Sequence, residues 1–502
     1  MPRAWTRVCV LKQLWVCHGR SLSHTRECKW QHKSRTRNKK KNREGPNKYI
    51  HRKRLPVQVG VGERENKVAS GICVAFEEQS VALMQARTLT THMRRSEPLV
   101  RQCISAGRKL GGSASTSSST NHEQSQRIAD FSDILQPQSR RREQSPIRAL
   151  MPFLGQPGMI SLGGGLPNPK TFPFSKLTVD VPDLEDTGET QTLTLEGAVL
   201  DQALQYSSTT GLPPLVAWLS TLQEREHAVT QGPNATHQVT VTTGSQDALA
   251  RVFEMVLGTE DTLLLEDATY TGALSFLHPL GCHLKGVQTD DGGLVPEDLE
   301  RTLNSWPTGS GAPPKPRVLY TVPTGSNPTG ISLSTERKRR IYEIASRPEN
   351  DLLILEDDPY YFLRFDDESA EQDEEQPASF LSMDIDQRVV RFDSLSKILS
   401  AGLRIGFCTA PPAIAERLQL HMQATCLHTC GVSQAIAASL LNHWGHDKFV
   451  AHTRNVADFY KSQRDAFIAS AERHLGQLGP GKVSWTVPDA GMFVWLDLSG
   501  TS

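Results

Sequence analysis

The texture of the chain changes near residue 128. Before that point apolar residues recur with no sustained period. After it, short apolar runs of strand length alternate with stretches of helical period. "HQVTVTTG" (237–244) reads as a strand, and "SQDALARVFEMVLG" after it as an amphipathic helix. "DTLLLEDATY", "VLYTVP" (318–323) and "DLLILEDDPYYF" (351–362) are further strands. "STERKRRIYEIASR" between the last two is a helix with Ser334 or Thr335 as N-cap. "VVRFDS" and "RIGFCTA" are strands again. Strands alternating with helices predict an α/β fold, a mostly parallel sheet covered on both faces. Residues 412–474 read as mainly helical. "VSWTVPDAGMFVWLDL" (483–498) reads as the start of a smaller α+β domain, with an open strand edge and no helix predicted over it.

This pattern divides the chain into a leader (1–127), an N-terminal arm with part of a small domain (128–195), a large domain (196–411) and an incomplete small domain (412–502). Charge sharpens the first boundary. The whole chain is neutral, yet residues 1–60 hold 17 Lys+Arg against 2 Asp+Glu. "RTRNKKKNR" is a charge block of the kind that stays disordered. Residues 84–120, beginning at Met84, are rich in Arg, Ser and Thr with Glu97 as their one acid, the composition of a mitochondrial transit peptide. Mitochondrial matrix is therefore the favoured location, with cytoplasm the alternative. The acidic remainder argues against a nucleic-acid partner. No apolar run approaches the ~18 residues that a membrane span needs. Nine cysteines without a C-x-x-C pair argue against a disulfide scaffold. Cys426, His428 and Cys430 fall too close together for a good zinc site, so no metal is expected.

In such sheets ligands bind at the carboxyl ends of the strands, and polar residues gather there. Ser245 and Gln246 open a helix; Tyr270, Asn327, Asp358 and Tyr361 follow other strands; Ser394, Ser396 and Lys397 end "VVRFDSLSK". Helix-end N–H groups, three hydroxyls and the guanidinium of Arg404 suit a phosphate dianion. Asp358 suits a buried cation. Lys397 becomes a Schiff-base nucleophile if burial and nearby cations depress its pKa. Phosphate, cation and aldehyde together describe pyridoxal 5'-phosphate.

Eight blocks in order carry a resemblance: "QSPIR", "ISLGGGLPNPKTFPF", "ALQYSSTTGLPPL", "VTTGSQDAL", "YTVPTGSNPTG", "LEDDPYYFL", "DSLSKILSAGLRIGF" and "AGMFVW". From about 128 to 502 the chain resembles the fold-type I, class I/II pyridoxal-phosphate aminotransferases. Within them it is similar to the 2-aminoadipate/kynurenine aminotransferases and the fungal aromatic aminotransferases. The resemblance implies transamination of L-amino acids with 2-oxoglutarate by a homodimer. It implies Lys397 as the cofactor lysine and proton carrier, Asp358 as partner of the ring nitrogen, Tyr361 and Asn327 as partners of the ring 3-oxygen, and Tyr270 as the stacking aromatic. Ser245, Gln246, Ser394, Ser396 and Arg404 would form the phosphate cup. Tyr206 would reach the neighbouring subunit's phosphate, and Arg148, Gly165 and Asn327 would line the substrate pocket.

Rival readings remain. "SLSK" is also the S-x-x-K of serine β-lactamases, but S-D-N and K-T-G are absent. The basic head invites an aminotransferase-like regulatory protein, but it lacks a recognition-helix pattern. The family's late arginine for the substrate carboxylate has no counterpart before Ser502. That favours, as the alternative, a catalytically impaired cofactor-binding fragment.

Overall fold

The computed structural model describes residues 71–75, 131–149, 165–182, 184, 189–230, 235–365 and 378–499. The central sheet has seven strands: β1 (Gln238–Thr242), β2 (Thr262–Glu266), β3 (His283–Val287), β4 (Val318–Thr321), β5 (Leu353–Asp357), β6 (Val389–Ser394) and β7 (Gly406–Ala410). Their spatial order is β1-β7-β6-β5-β4-β2-β3. Within this sheet only β7 runs antiparallel to its neighbours. The expected mostly parallel α/β sheet is present.

The inner strands are apolar on both faces because helices cover both. Along β5, Leu353 and Leu355 join one core cluster with Tyr320, Phe392 and Phe253. Ile354, between them, joins a second with Leu319, Val389 and Ile341. This is the period-2 alternation of a pleated strand. Six helices matter below: α1 (Pro213–His227), α2 (Ser245–Val256), α3 (Thr271–Leu280), α4 (Thr335–Ser346), α5 (Pro412–Thr425) and α6 (Gly431–Leu475). Phe253 brings α2 onto the first face and Ile341 brings α4 onto the second. The predicted cap of α4 is Ser334, whose Oγ accepts from Arg337 N at 3.2 Å. Helix α6 breaks at Gly445, whose φ of 67° departs from helical geometry.

Two expectations change. The strand Phe493–Asp497 is covered: Phe467, Ile468, Ala471 and Leu475 of α6 pack on Val494, Leu496 and Leu498. Its edge is also paired, antiparallel, with Gly71–Ala75. Those five residues fall in the leader expected to be disordered, and they form a strand. The remaining leader expectations, including the transit-like 84–120, lie outside the described residues.

Candidate active site

The first strand end sets the pattern. Strand β1 leads through Gly244 into α2, so Ser245 and Gln246 occupy the helix's first turn. Gly244 has φ +80°, and a Cβ there would lie 2.3 Å from Arg404 Nη2. A Cβ on Gly406 would lie 2.4 Å from the Ser245 N–H nitrogen. Both glycines leave a cradle open where backbone N–H groups, free at a helix start, meet a guanidinium. Arg404 is fixed there by donating to Ser396 Oγ (3.3 Å), Ala401 O (3.2 Å) and Thr243 O (3.3 Å). Ser394 Oγ accepts from Ser396 N at 3.2 Å. Gln246 Nε2 donates to Gly272 O, tying α2 to the start of α3.

Lys397 lies half-buried in the turn after β6. Burial, and then the charge of Arg404, lower its pKa below the ordinary lysine range. Tyr270 caps α3 with its ring folded over Gly272, where a Cβ would come within 2.3 Å of it. Its hydroxyl pKa is raised by burial, with Asp357 adding to the effect and Arg404 opposing it. Tyr270 thus stands between the cationic cradle and a carboxylate.

That carboxylate is Asp357, and here the structure corrects the sequence reading. Asp357 shares its face of β5 with Leu353 and Leu355. Tyr320 donates to Asp357 Oδ2 at 2.9 Å. Asp357 Oδ1 is buried without a hydrogen-bond partner. Burial pushes its pKa up to about 7, against the Tyr320 hydrogen bond. Asp358 continues the ladder by one residue, its N–H donating to Phe392 O at 3.0 Å. Its side chain therefore falls on the opposite face. There Asp358 Oδ2 accepts from Arg391 Nη1 (3.0 Å) and Thr324 Oγ1 (3.2 Å). Tyr361 goes with it, its ring 4.9 Å from the Arg391 guanidinium. Tyr360 is the tyrosine that packs in the same cluster as Leu353 and Leu355. "LEDDPYYF" contains the spacing D-x-x-Y twice, and only strand parity separates the two pairs.

Asn327 lies half-buried in the loop after β4. Glu266, at the end of β2, pins that loop. It accepts from Thr321 Oγ1, from Val322 N (3.2 Å) and from Ser326 Oγ (3.2 Å). Burial raises its pKa to about 7 despite those bonds. Three expected residues are described by other surroundings. Tyr206 is exposed, edge-on to His428 at 6.2 Å. Arg148 Nη1 donates to Ser207 O at 2.9 Å. Gly165 is exposed, with φ +59°.

A half-buried lysine of lowered pKa, an anion cradle, an aromatic shelf and a buried carboxylate with one unpartnered oxygen lie at the carboxyl edge of a seven-stranded sheet. Residues 198–502 match the family model described as aminotransferase class I and II. The chain belongs to that family, and it is an aminotransferase. It is 43% identical over 382 residues to the mitochondrial kynurenine/alpha-aminoadipate aminotransferase of Rattus norvegicus, covering 74% of this chain and 85% of that one. It is 39% identical to aminotransferase tdiD of Emericella nidulans, over 74% of this chain and 82% of the relative. Among solved structures, aminotransferase Aro8 of Candida albicans superposes with a TM-score of 0.65 at 32% identity, covering 74% and 81% of the two chains.

Proposed function

We propose that this chain holds pyridoxal 5'-phosphate in the cluster described above and transfers the amino group of an L-amino acid to a 2-oxo acid such as 2-oxoglutarate. The observation that carries the reading is the orphaned Asp357 Oδ1. A buried acceptor without a donor costs about 1–3 kcal/mol, and a protonated ring nitrogen supplies the missing donor. The cradle of Gly244, Ser245, Gln246, Ser394, Ser396 and Arg404 fits the phosphate. Two glycines keep space there that any Cβ would fill.

When bound, the cofactor supplies an aldehyde for an amine to attack and a ring that accepts an electron pair. The residues do the rest. Lys397 Nζ, its pKa lowered by burial and then by Arg404, would attack the aldehyde as a free amine, with water leaving. Once displaced by the substrate amine, Nζ carries the Cα proton. Asp357, in place of Asp358, would hold the proton on the ring nitrogen. Tyr360, three residues on from Asp357, would take the role expected of Tyr361 and, with Asn327, meet the ring oxygen. Tyr270 covers the ring face.

The finer assignments follow the same resemblance. The rat relative is named for kynurenine and 2-aminoadipate, which makes these and aromatic amino acids the donors to test. The exposed Tyr206 suits a contact with a second subunit, as the homodimer reading requires. Arg148 and Gly165 remain candidates for the substrate pocket. The mitochondrial names of the mammalian relatives agree with the transit-like composition of residues 84–120. The test is turnover by the purified full-length chain with 2-oxoglutarate and each donor in turn. Glutamate formation from 2-aminoadipate, kynurenine or an aromatic donor is expected. Cofactor binding with no glutamate from any donor would reject the proposed function.

A further inference from the structure

Behind the sheet, on the face away from the candidate site, lies a cluster of buried charges that the proposed reaction leaves without a task. Arg391 is its centre and is 0% exposed. Its guanidinium lies 3.2 Å from Glu356, 3.0 Å from Asp358 and 2.9 Å from Asp393. The Tyr361 ring covers it, and His227 of α1 packs against that ring at 4.7 Å. Thr324 links Arg364 to the cluster, accepting from Arg364 Nη2 and donating to Asp358 Oδ2, each at 3.2 Å. Wholly buried Lys338 of α4 faces Arg364, Asp358, Glu356 and Arg391, while Glu226 of α1 faces Arg391.

Such a cluster is expensive. Each ion loses its hydration on burial, and apolar side chains of similar volume often do as well or better for stability. Its position suggests another use. In the sheet register Glu356 stands opposite Arg391, and Asp357 opposite Phe392. Arg391 therefore grips the residues on both sides of Asp357. It also grips Asp393, which precedes the turn that carries Lys397. One side chain ties together the two strand ends that present the ring-nitrogen carboxylate and the lysine.

We propose that Arg391 is a positioning residue for the reaction: acting through the strands from the far face, it keeps Asp357 ionised and holds the ends of β5 and β6 in register. The inference rests on the reading of Asp357 given above. Among the charges around Asp357, Asp358 and then Asp393 oppose its carboxylate form, and Arg391 is the cation that favours it. On the near face Tyr320 donates to it and Tyr270 stands beside it. Without the Arg391 charge, the shared proton moves from the ring nitrogen to Asp357. One N–H bond breaks, one O–H bond forms, and nothing is oxidised or reduced.

The test uses the full chain loaded with pyridoxal 5'-phosphate carrying 15N in the ring. The 15N resonance reports where the proton sits, which a purely structural role would not move in a charge-dependent way. At pH 7 the wild-type ring should resonate as protonated. Arg391→Gln should move the resonance toward the unprotonated position, and Arg391→Lys should restore it. Asp358→Asn removes an opposing negative charge and leaves Arg391 two carboxylate partners. Its ring should lose the proton at a lower pH than wild type. If Arg391→Gln does not fold, Asp358→Asn decides alone. An unchanged or raised midpoint in Asp358→Asn, or a fully protonated ring in Arg391→Gln, overturns the proposal. An unprotonated ring in wild type would instead overturn the reading of Asp357.

Discussion

Replacing Asp357 and Asp358 one at a time by asparagine separates two adjacent carboxylates that the sequence alone does not tell apart. In Asp357→Asn the new amide oxygen can still accept from Tyr320, so the fold keeps its buried hydrogen bond. The neutral amide cannot pair with a ring cation as Oδ1 does. A hydrogen bond to a charged group is worth roughly 1.5–3 kcal/mol. At 1.4 kcal/mol per tenfold, Asp357→Asn should bind pyridoxal 5'-phosphate about 10- to 150-fold more weakly. Its thermal midpoint without cofactor should change little. Asp358→Asn strips Arg391 of a partner at 3.0 Å. Breaking a buried pair outright costs about 3–5 kcal/mol. Arg391 keeps Glu356 and Asp393, so the loss should fall below that range, at roughly 1.5–3 kcal/mol, the size of a charged hydrogen bond. The expected signature is a lowered thermal midpoint with cofactor affinity within several-fold of wild type. Absorbance titration with pyridoxal 5'-phosphate and thermal melts of the same samples measure both quantities. Loss of affinity in Asp358→Asn with none in Asp357→Asn would refute the parity argument.

Three further outcomes are expected. Gly406→Ala places a Cβ 2.4 Å from Ser245 N; its phosphate-dependent cofactor binding should drop at least tenfold, read by the same titration. Glu266→Gln tests the buried carboxylate under the Asn327 loop. The folded pKa of Glu266, about 7, stands above the ~4.3 of an unfolded glutamate. Its contribution to stability is therefore full below pH ~4.3 and is lost as pH rises through about 7. The midpoint of Glu266→Gln relative to wild type, both without cofactor, should rise between pH 5 and pH 8; a flat difference would show that Glu266 stays ionised. Ser334→Ala removes the α4 cap and should cost about 1 kcal/mol in a urea melt.

Much of this site was legible in the sequence because strand ends announce themselves. Ser245, Gln246, Tyr270, Ser394, Ser396, Lys397 and Arg404 each follow a short apolar run, and the structure gathers them. Asp357 was not legible. Alternation along a half-buried strand would have marked its face, but "LLILED" is apolar on both faces and the pattern is silent there. Arg391 was hidden for a related reason. A lone arginine in "VVRFDS" reads as solvated until a helix is known to lie over it. The edge of Phe493–Asp497 is paired by a strand more than 400 residues earlier in the chain, a distance over which periodicity carries no information.

Lys397 is the residue proposed to hold the cofactor. The full-length chain, incubated with pyridoxal 5'-phosphate, reduced with borohydride, digested and mapped by mass spectrometry, tests it most directly. A phosphopyridoxyl group is expected on the peptide containing Lys397, absent from Lys397→Ala. The same modification on another lysine, with Lys397 unmodified, would contradict it.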